Sequence, residues 1–322
     1  MTRIGQSAFC GSAYAVNNLT LPSGLTFIGH DAFYASKITG ELKIPASVTQ
    51  IESYALNTST LSSIYFPSIM PTMGSYVWNA SFNGTVWVPN NYASAYLTTA
   101  NGWSESYGNK LGVWFMPYAS SVPFSSVLPT NLAGSNIYAY IATAYDKSNP
   151  TQQLTMTMVD QAAANTGMIM KGLTANQEYR IKQPTSTVSA PATNYLVGTP
   201  RSTVRVDQET VGYYWGGSAS KPHFIKPTSA YSSNIGQAYL KLSSTQASGI
   251  DEVYTNLWPM PTALRGDING DNKVDVTDVN LVVNIILGKK SKDNYPNADT
   301  DRNGTVDVTD VNAVVNIILG KE

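Results

Sequence analysis

The sequence predicts a mainly β chain in three modules: a β-solenoid, then a sandwich-like or barrel-like β domain, then a small α-helical module. Three observations predict it. Pro-ended strand phrases recur every 22 or 23 residues in the first third of the 322-residue chain. The middle carries many short β-branched and aromatic runs parted by Gly, Pro, Ser and Asn. The end carries two nearly identical units, each an acidic loop followed by a helical pattern.

The first module rests on internal repetition, which is searched for before anything else. Leu-Thr-Leu-Pro ends at Pro22, Leu-Lys-Ile-Pro at Pro45, Ile-Tyr-Phe-Pro at Pro67 and Val-Trp-Val-Pro at Pro89. A second phrase keeps step: Ile4-Gly5 with Ala8-Phe9, Ile28-Gly29 with Ala32-Phe33, and Ile51 with Ala55-Leu56. Proline suits a strand end because it cannot donate to a ladder. A single unit cannot bury its own apolar face, whereas stacked neighbours make a continuous core.

These phrases resemble the BspA-like class of leucine-rich repeats, found in surface and secreted proteins of Bacteroidetes and some other microbes. The resemblance covers residues 1–109 and implies a leucine-rich-repeat β-solenoid. The third anchor departs from the pattern, with Glu52 in place of Gly and Leu56 in place of Phe. The stretch Val86 to Trp103 resembles the end of such an array: a last strand, a short helix around Tyr92–Ala100, then a Trp. Met1-Thr2-Arg3 leads straight into a repeat anchor, without a charged n-region, apolar h-region or cleavage site. The expectation is a fragment with a signal peptide and earlier repeats upstream. A cytoplasmic start is the alternative.

Residues 110–258 form the second module. Strands are expected at Val113–Phe115, Ile137–Ala144, Leu154–Val159, Gly167–Met170, Tyr179–Ile181, Tyr195–Val197, Ser202–Val206, Gly212–Trp215, His223–Ile225 and Ala238–Leu242. Many short strands at roughly 10-residue spacing predict a sandwich or barrel. The phrases ANTGMIMKG, NYLVGT and IGQAYLKL resemble an uncharacterised β segment of Bacteroidetes secreted proteins, which implies no activity. Glycoside hydrolysis would need two opposed carboxylates, from Asp146, Asp160, Glu178, Asp207, Glu209, Asp251 or Glu252. Asp207 and Glu209 point the same way on a strand, as do many surface pairs. His30 and His223 lack a nucleophile motif and read as turn and strand residues. Tyr213 and Trp215 share one strand face and Tyr214 takes the other. Core packing is expected for them, as for Trp78, Trp87, Trp103, Trp114 and Trp258.

The third module, residues 264–322, binds calcium on this reading. Residues 267–278 read DINGDNKVDVTD and residues 299–310 read DTDRNGTVDVTD. The two copies are 32 apart, and 16 of the 24 residues beginning at each first Asp are identical. Calcium wants six to eight oxygens, which a 12-residue loop supplies from positions 1, 3, 5, 7, 9 and 12. The first set is Asp267, Asn269, Asp271, the Lys273 carbonyl, Asp275 and Asp278. The second is Asp299, Asp301, Asn303, the Thr305 carbonyl, Asp307 and Asp310. Position 6 must tolerate positive φ and holds Asn272 or Gly304. Val279, Val282, Val283, Ile286 and Leu287 then lie at helical spacing before Gly288. Val311, Val314, Val315, Ile318 and Leu319 do so before Gly320.

A duplicated loop and helix, without the helix that precedes an EF-hand loop, resembles a type I dockerin. The resemblance implies Ca2+ at two sites, calcium-dependent folding and docking to a cohesin on another protein. It also implies that positions 10 and 11, Val276-Thr277 and Val308-Thr309, help choose the partner. The near-identity of the halves would let either face a partner. The alternative is a calcium-stabilised cap packed on its own neighbour. Position 12 is Asp rather than the common Glu, so affinities of roughly micromolar to sub-millimolar are expected.

Composition bounds the function. Apolar residues make up 43% of the chain, enough for packed cores, while charged residues make up only 13%, about half the usual share. A net charge of −1 gives no field for nucleic acid or an acidic membrane. One Cys and two His can build neither a disulfide nor a zinc site. No apolar run reaches the roughly 20 residues of a transmembrane span. Ten of the 21 acids lie in residues 264–322, eight at liganding positions. The chain therefore reads as a non-catalytic, monomeric, extracellular or cell-surface binding protein. Its partner is a host matrix protein, a cohesin-like protein or a glycan. The alternatives are an accessory subunit of a polysaccharide-degrading assembly, recruited through the dockerin-like module, and an enzyme in the middle domain.

Overall fold

The computed structural model describes residues 1–58, 60–78, 82–97, 110–133, 135, 137–149, 152–206, 211–218, 221–257, 265–269, 273–290, 292, 295, 297–301, 303 and 305–321. The chain folds into two compact units. The first comprises Met1–Tyr145, Met156–Trp215 and Phe224–Glu252; the second comprises Asp146–Thr155, Gly216–His223 and Val253–Glu322.

The repeats of the first unit form a two-sheet solenoid. Arg3–Ile4, Phe27–Ile28, Gln50–Ile51 and Thr72–Met73 pair in parallel as one sheet. Val16–Asn17, Ile38–Lys43, Leu61–Tyr65 and Thr85–Pro89 pair in parallel as part of the other. Alternation decides which side chains enter the core. Leu42, Ile64 and Val86 are each fully buried, and Ile44, Phe66 and Val88 repeat this two residues on. Burying one such side chain contributes roughly 1.5–3 kcal/mol. The ladder runs one residue past each strand, Ile44 N–H to Tyr65 O and Phe66 N–H to Trp87 O, and then meets proline.

The turns stack as well. Ser7, Asp31, Tyr54 and Tyr76 occupy equivalent positions with φ of 54°, 55°, 59° and 53°. Each turn donates to the next, as in Phe9 N–H to Ala32 O, Phe33 N–H to Ala55 O and Leu56 N–H to Val77 O. The last link reveals a fourth anchor, Val77-Trp78, whose side chains are 4% and 2% exposed. Its larger residues hide it from a search for Ala-Phe. The expected helix around Tyr92–Ala100 takes the form of two 3-10 turns, Asn90–Tyr92 and Ala95–Leu97. Residues 98–100 and Trp103 lie outside the described residues.

The solenoid sheet does not stop where the repeats do. Leu111–Phe115 pairs in parallel with Thr85–Pro89. Tyr179–Lys182, Thr130–Asn131 and Gln161–Ala162 then extend the sheet antiparallel to eight strands. One core cluster accordingly runs from Ile4 to Ile181. On the sheet's other face Trp87 lies across Gly112, where a Cβ would stand 2.5 Å from the indole. Arg180 reaches over the Tyr65 and Trp87 rings to pair with Glu41 at 2.5 Å and Glu178 at 2.7 Å. Burial alone would raise the Glu41 carboxyl, and Arg180 outweighs it, holding the group below the usual carboxylate range.

The remaining strands of this unit form smaller antiparallel pairings. Ser121–Phe124 pairs with Met168–Lys171, which also pairs with Tyr138–Tyr145. Ser121–Phe124 escapes a sequence reading because it contains Pro123, which an edge strand tolerates. Leu196–Thr199 pairs with Gln237–Lys241, against which Gly212–Ser218 opens. Tyr213 and Trp215 are buried, and Tyr214 faces the other way, stacked on Tyr231 at 4.8 Å.

In the second unit, Leu154 N–H donates to Tyr254 O at 3.0 Å and Asn256 N–H to Leu154 O at 3.3 Å. His223 is buried, its ring tilted against that of Tyr254 with centroids 4.7 Å apart. The helices Val276–Ile286 and Val308–Ile318 pack around Ile268, Val282, Ile285, Ala298 and Val314.

Candidate calcium site

Each loop feeds directly into a helix. Asp275 is the N-cap of Val276–Ile286 and Asp307 that of Val308–Ile318, and each opens a capping box closed by Asp278 or Asp310. Asp275 Oδ1 accepts from Thr277 N–H at 2.7 Å and Thr277 Oγ1 at 2.6 Å. Asp307 Oδ1 accepts from Thr309 N–H at 2.8 Å and Oγ1 at 2.7 Å. These hydrogen bonds hold both carboxyls below the ordinary aspartate range. Gly288 and Gly320 end the helices with φ of 68° and 62°, the left-handed turn that glycine adopts without strain.

The last loop position organises the first. Asp278 is fully buried; its Oδ1 accepts from Ile268 N–H at 2.7 Å and Asn269 N–H at 3.0 Å, its Oδ2 from Asp275 N–H at 3.0 Å. Asp310, also fully buried, accepts from Asp301 N–H at 3.0 Å and Asp307 N–H at 2.9 Å. Burial pushes the Asp310 carboxyl up, and the nearby Asp301 charge adds to it. Asn297 Nδ2 donates to Asp267 O at 3.1 Å and Arg265 Nε to Thr300 O at 3.0 Å, which ties the two loops together. Sequence reading misses Asn297 and Arg265, because neither falls at a liganding position.

In the second loop, Asp299, Asp301 and Asp310 each place one carboxylate oxygen within 4.8 Å of the others. Oxygens bound to calcium at 2.3–2.6 Å lie at most about 5 Å apart, so the three fit one coordination sphere. Buried charges are stable only when paired or bound to metal. The donor set, hard oxygen throughout, suits calcium. The cation, when bound, neutralises these carboxylates. Asn303 Oδ1 accepts from Thr305 N–H at 2.9 Å, which shapes the loop at positions 5 and 7. In the first loop Asp267 and Asp278 are both fully buried, and Asn269 and Lys273 lie further out. Asp271, Asn272 and Gly304 lie outside the described residues, as do Asp207, Glu209 and Trp258.

The helices carry more apolar residues than their core uses. Val282 and Ile285 are buried, but Val283 is 36% exposed, Ile286 43% and Leu287 60%. In the second helix Ile318 is 43% and Leu319 56% exposed. Val276 and Val308 are each 64% exposed. At positions 10 and 11 the Val side chain is thus displayed, while the Thr hydroxyl is held by the loop. Among the described residues no helix is long and apolar enough to cross a membrane.

Residues 1–96 match the BspA type Leucine rich repeat region in six copies, and residues 265–319 match the Dockerin type I domain. Both are non-catalytic module types, and type I dockerins typically bind calcium and dock a protein partner. No curated protein and no solved structure matches the chain. The buried, duplicated carboxylate loops and the parallel stack of Pro-ended strands thus have one description each: a type I dockerin domain at residues 265–319 and BspA-type leucine-rich repeats at residues 1–96.

Proposed function

We propose that the chain is a non-catalytic secreted or cell-surface binding protein, which docks a cohesin-like partner once each dockerin loop holds a calcium ion. One observation carries the reading. The two helices display the same apolar residues at equivalent positions: Val276 with Val308, Ile286 with Ile318, and Leu287 with Leu319. Exposed apolar residues repeated in this way support a partner surface that exists in two equivalent copies. The buried carboxylates Asp267, Asp278 and Asp310 support a calcium requirement for that surface. Adhesion through the repeat region is the companion proposal.

The full chain, presented with a panel of cohesins in calcium and then in chelator, tests this. The expected result is capture in calcium and release on chelation. Capture of none of the panel, or binding indifferent to chelator, overturns the docking reading.

A further inference from the structure

We propose that a groove in the first unit, beside the last solenoid turn, binds an uncharged sugar residue of a glycan. The inference does not rest on the dockerin reading. The groove has a volume of about 360 Å³ and draws its walls from five separate stretches, residues 67, 89–92, 114–118, 122–124 and 235–237. That size falls at the lower end of small-molecule sites. Pro67, Pro89, Pro117 and Pro123 line it, so much of the wall is stiff and little entropy is lost when a ligand settles there.

Two kinds of group converge on the groove. Tyr92 and Tyr118 line it while 39% and 60% exposed, and Trp114 lines it as well. Aromatic faces suit the C–H face of a sugar ring, and phenol tips suit its hydroxyl rim. The second kind is amide. The Asn91 side chain is exposed and makes no hydrogen bond among the described residues. Gln237 Oε1 accepts from Asn234 N–H at 3.0 Å, which leaves Nε2 with two donors to offer. The loop holding Gln237 is fixed by Ser125, whose N–H donates to Gly236 O at 2.9 Å and whose Oγ donates to Gln237 O, and Asn90 Nδ2 donates in turn to Ser125 O at 2.8 Å. Gly236 is required there: its φ is +85°, and a Cβ would meet Asn90 Nδ2 at 2.7 Å.

The same observations choose among ligands. Among the described residues none that lines the groove is charged, so a carboxylated or sulfated sugar would lose its hydration without gaining a counter-charge. A proline-rich peptide also suits aromatic grooves, but its carbonyls only accept, so they could take the amide N–H groups and would leave the Asn91 amide oxygen without a donor, and Trp114 Nε1–H is already given to Phe66 O at 2.9 Å. Free amides, which donate and accept, match hydroxyls that do the same.

The test applies the full chain, in calcium, to an array of neutral hexose and N-acetylhexosamine oligosaccharides, sialylated and uronic oligosaccharides, and a proline-rich decapeptide. Binding to neutral members is expected. Tyr118→Ala and Asn91→Ala, both at exposed positions, should each weaken it about tenfold with the melting midpoint unchanged. The proposal is overturned if no neutral glycan binds, if charged glycans or the peptide are preferred, or if both variants bind like the parent.

Discussion

The repeat array and the dockerin domain are both made by duplication, and they differ in what joins the copies. In the array, copies 22 residues apart place Leu42, Ile64 and Val86 on one inward face, all fully buried. Each turn brings apolar surface that its neighbour covers. In the dockerin domain, copies 32 apart bury Asp278 and Asp310 at equivalent positions, beside a small apolar core that among the described residues buries Ile268, Val282, Ile285, Ala298 and Val314 and packs partly buried side chains such as Val279, Leu281 and Val311 against them. A module of this size seldom gains more than about 3–5 kcal/mol from its core. With the calcium sites proposed above, stability is expected to be intrinsic in the first region and conditional on a cation in the second.

Removing the cation should produce the largest effect and break the comparison if it fails. A cation that binds only the folded state stabilises it by about 4 kcal/mol per site at a free concentration a thousandfold above Kd. That contribution rivals the whole apolar core of the module. Calorimetry of the full chain should therefore show the dockerin transition lost in chelator and the repeat transition unmoved. A trace identical with and without chelator would falsify the conditional half of the comparison.

Leu42→Ala should have the next largest effect, on the other side. Leu42 is fully buried in the continuous core, and such truncations cost about 2–5 kcal/mol. Denaturant unfolding should show that loss in calcium and in chelator alike. A loss that disappears in one of the two conditions would mean the regions are not independent in what stabilises them.

Sequence legibility follows the same division. Where one side chain type recurs at a fixed step, the pattern is visible without coordinates: the Pro-ended strands and the C-capping glycines stand where their spacing puts them. What depends on distant pairing is invisible. Arg180 and Glu41 are 139 residues apart, and no local signal announces that Arg180 crosses Tyr65 and Trp87 to reach it. The continuation of the solenoid sheet through Leu111–Phe115 is hidden likewise, because a strand's own sequence does not name its neighbour. The helices show a subtler limit. Helical spacing picks out Val283, Ile286 and Leu287, yet these are exposed while Ile285 is buried. A helix apolar on two stripes fits two faces equally, and only its packing decides which turns inward.

That second stripe gives the smallest effect on stability and the sharpest test of duplication. Val276 and Val308 are each 64% exposed, and surface substitutions of this kind usually change stability by no more than about 0.5 kcal/mol. Val276→Asp, Val308→Asp and the double variant should therefore melt like the parent in calcium. Docking should separate them. If the two helices offer equivalent faces, losing one removes half of the binding modes, so either single variant weakens binding by only about twofold. The double variant has no unaltered face and should lose binding outright, since each Asp places an unpaired charge where the partner expects an apolar side chain. Titration calorimetry against a captured cohesin reads all three. A single variant that binds as poorly as the double one would mean that only one face docks, and that the matched exposure of the two helices is a relic of duplication rather than a second mode of binding.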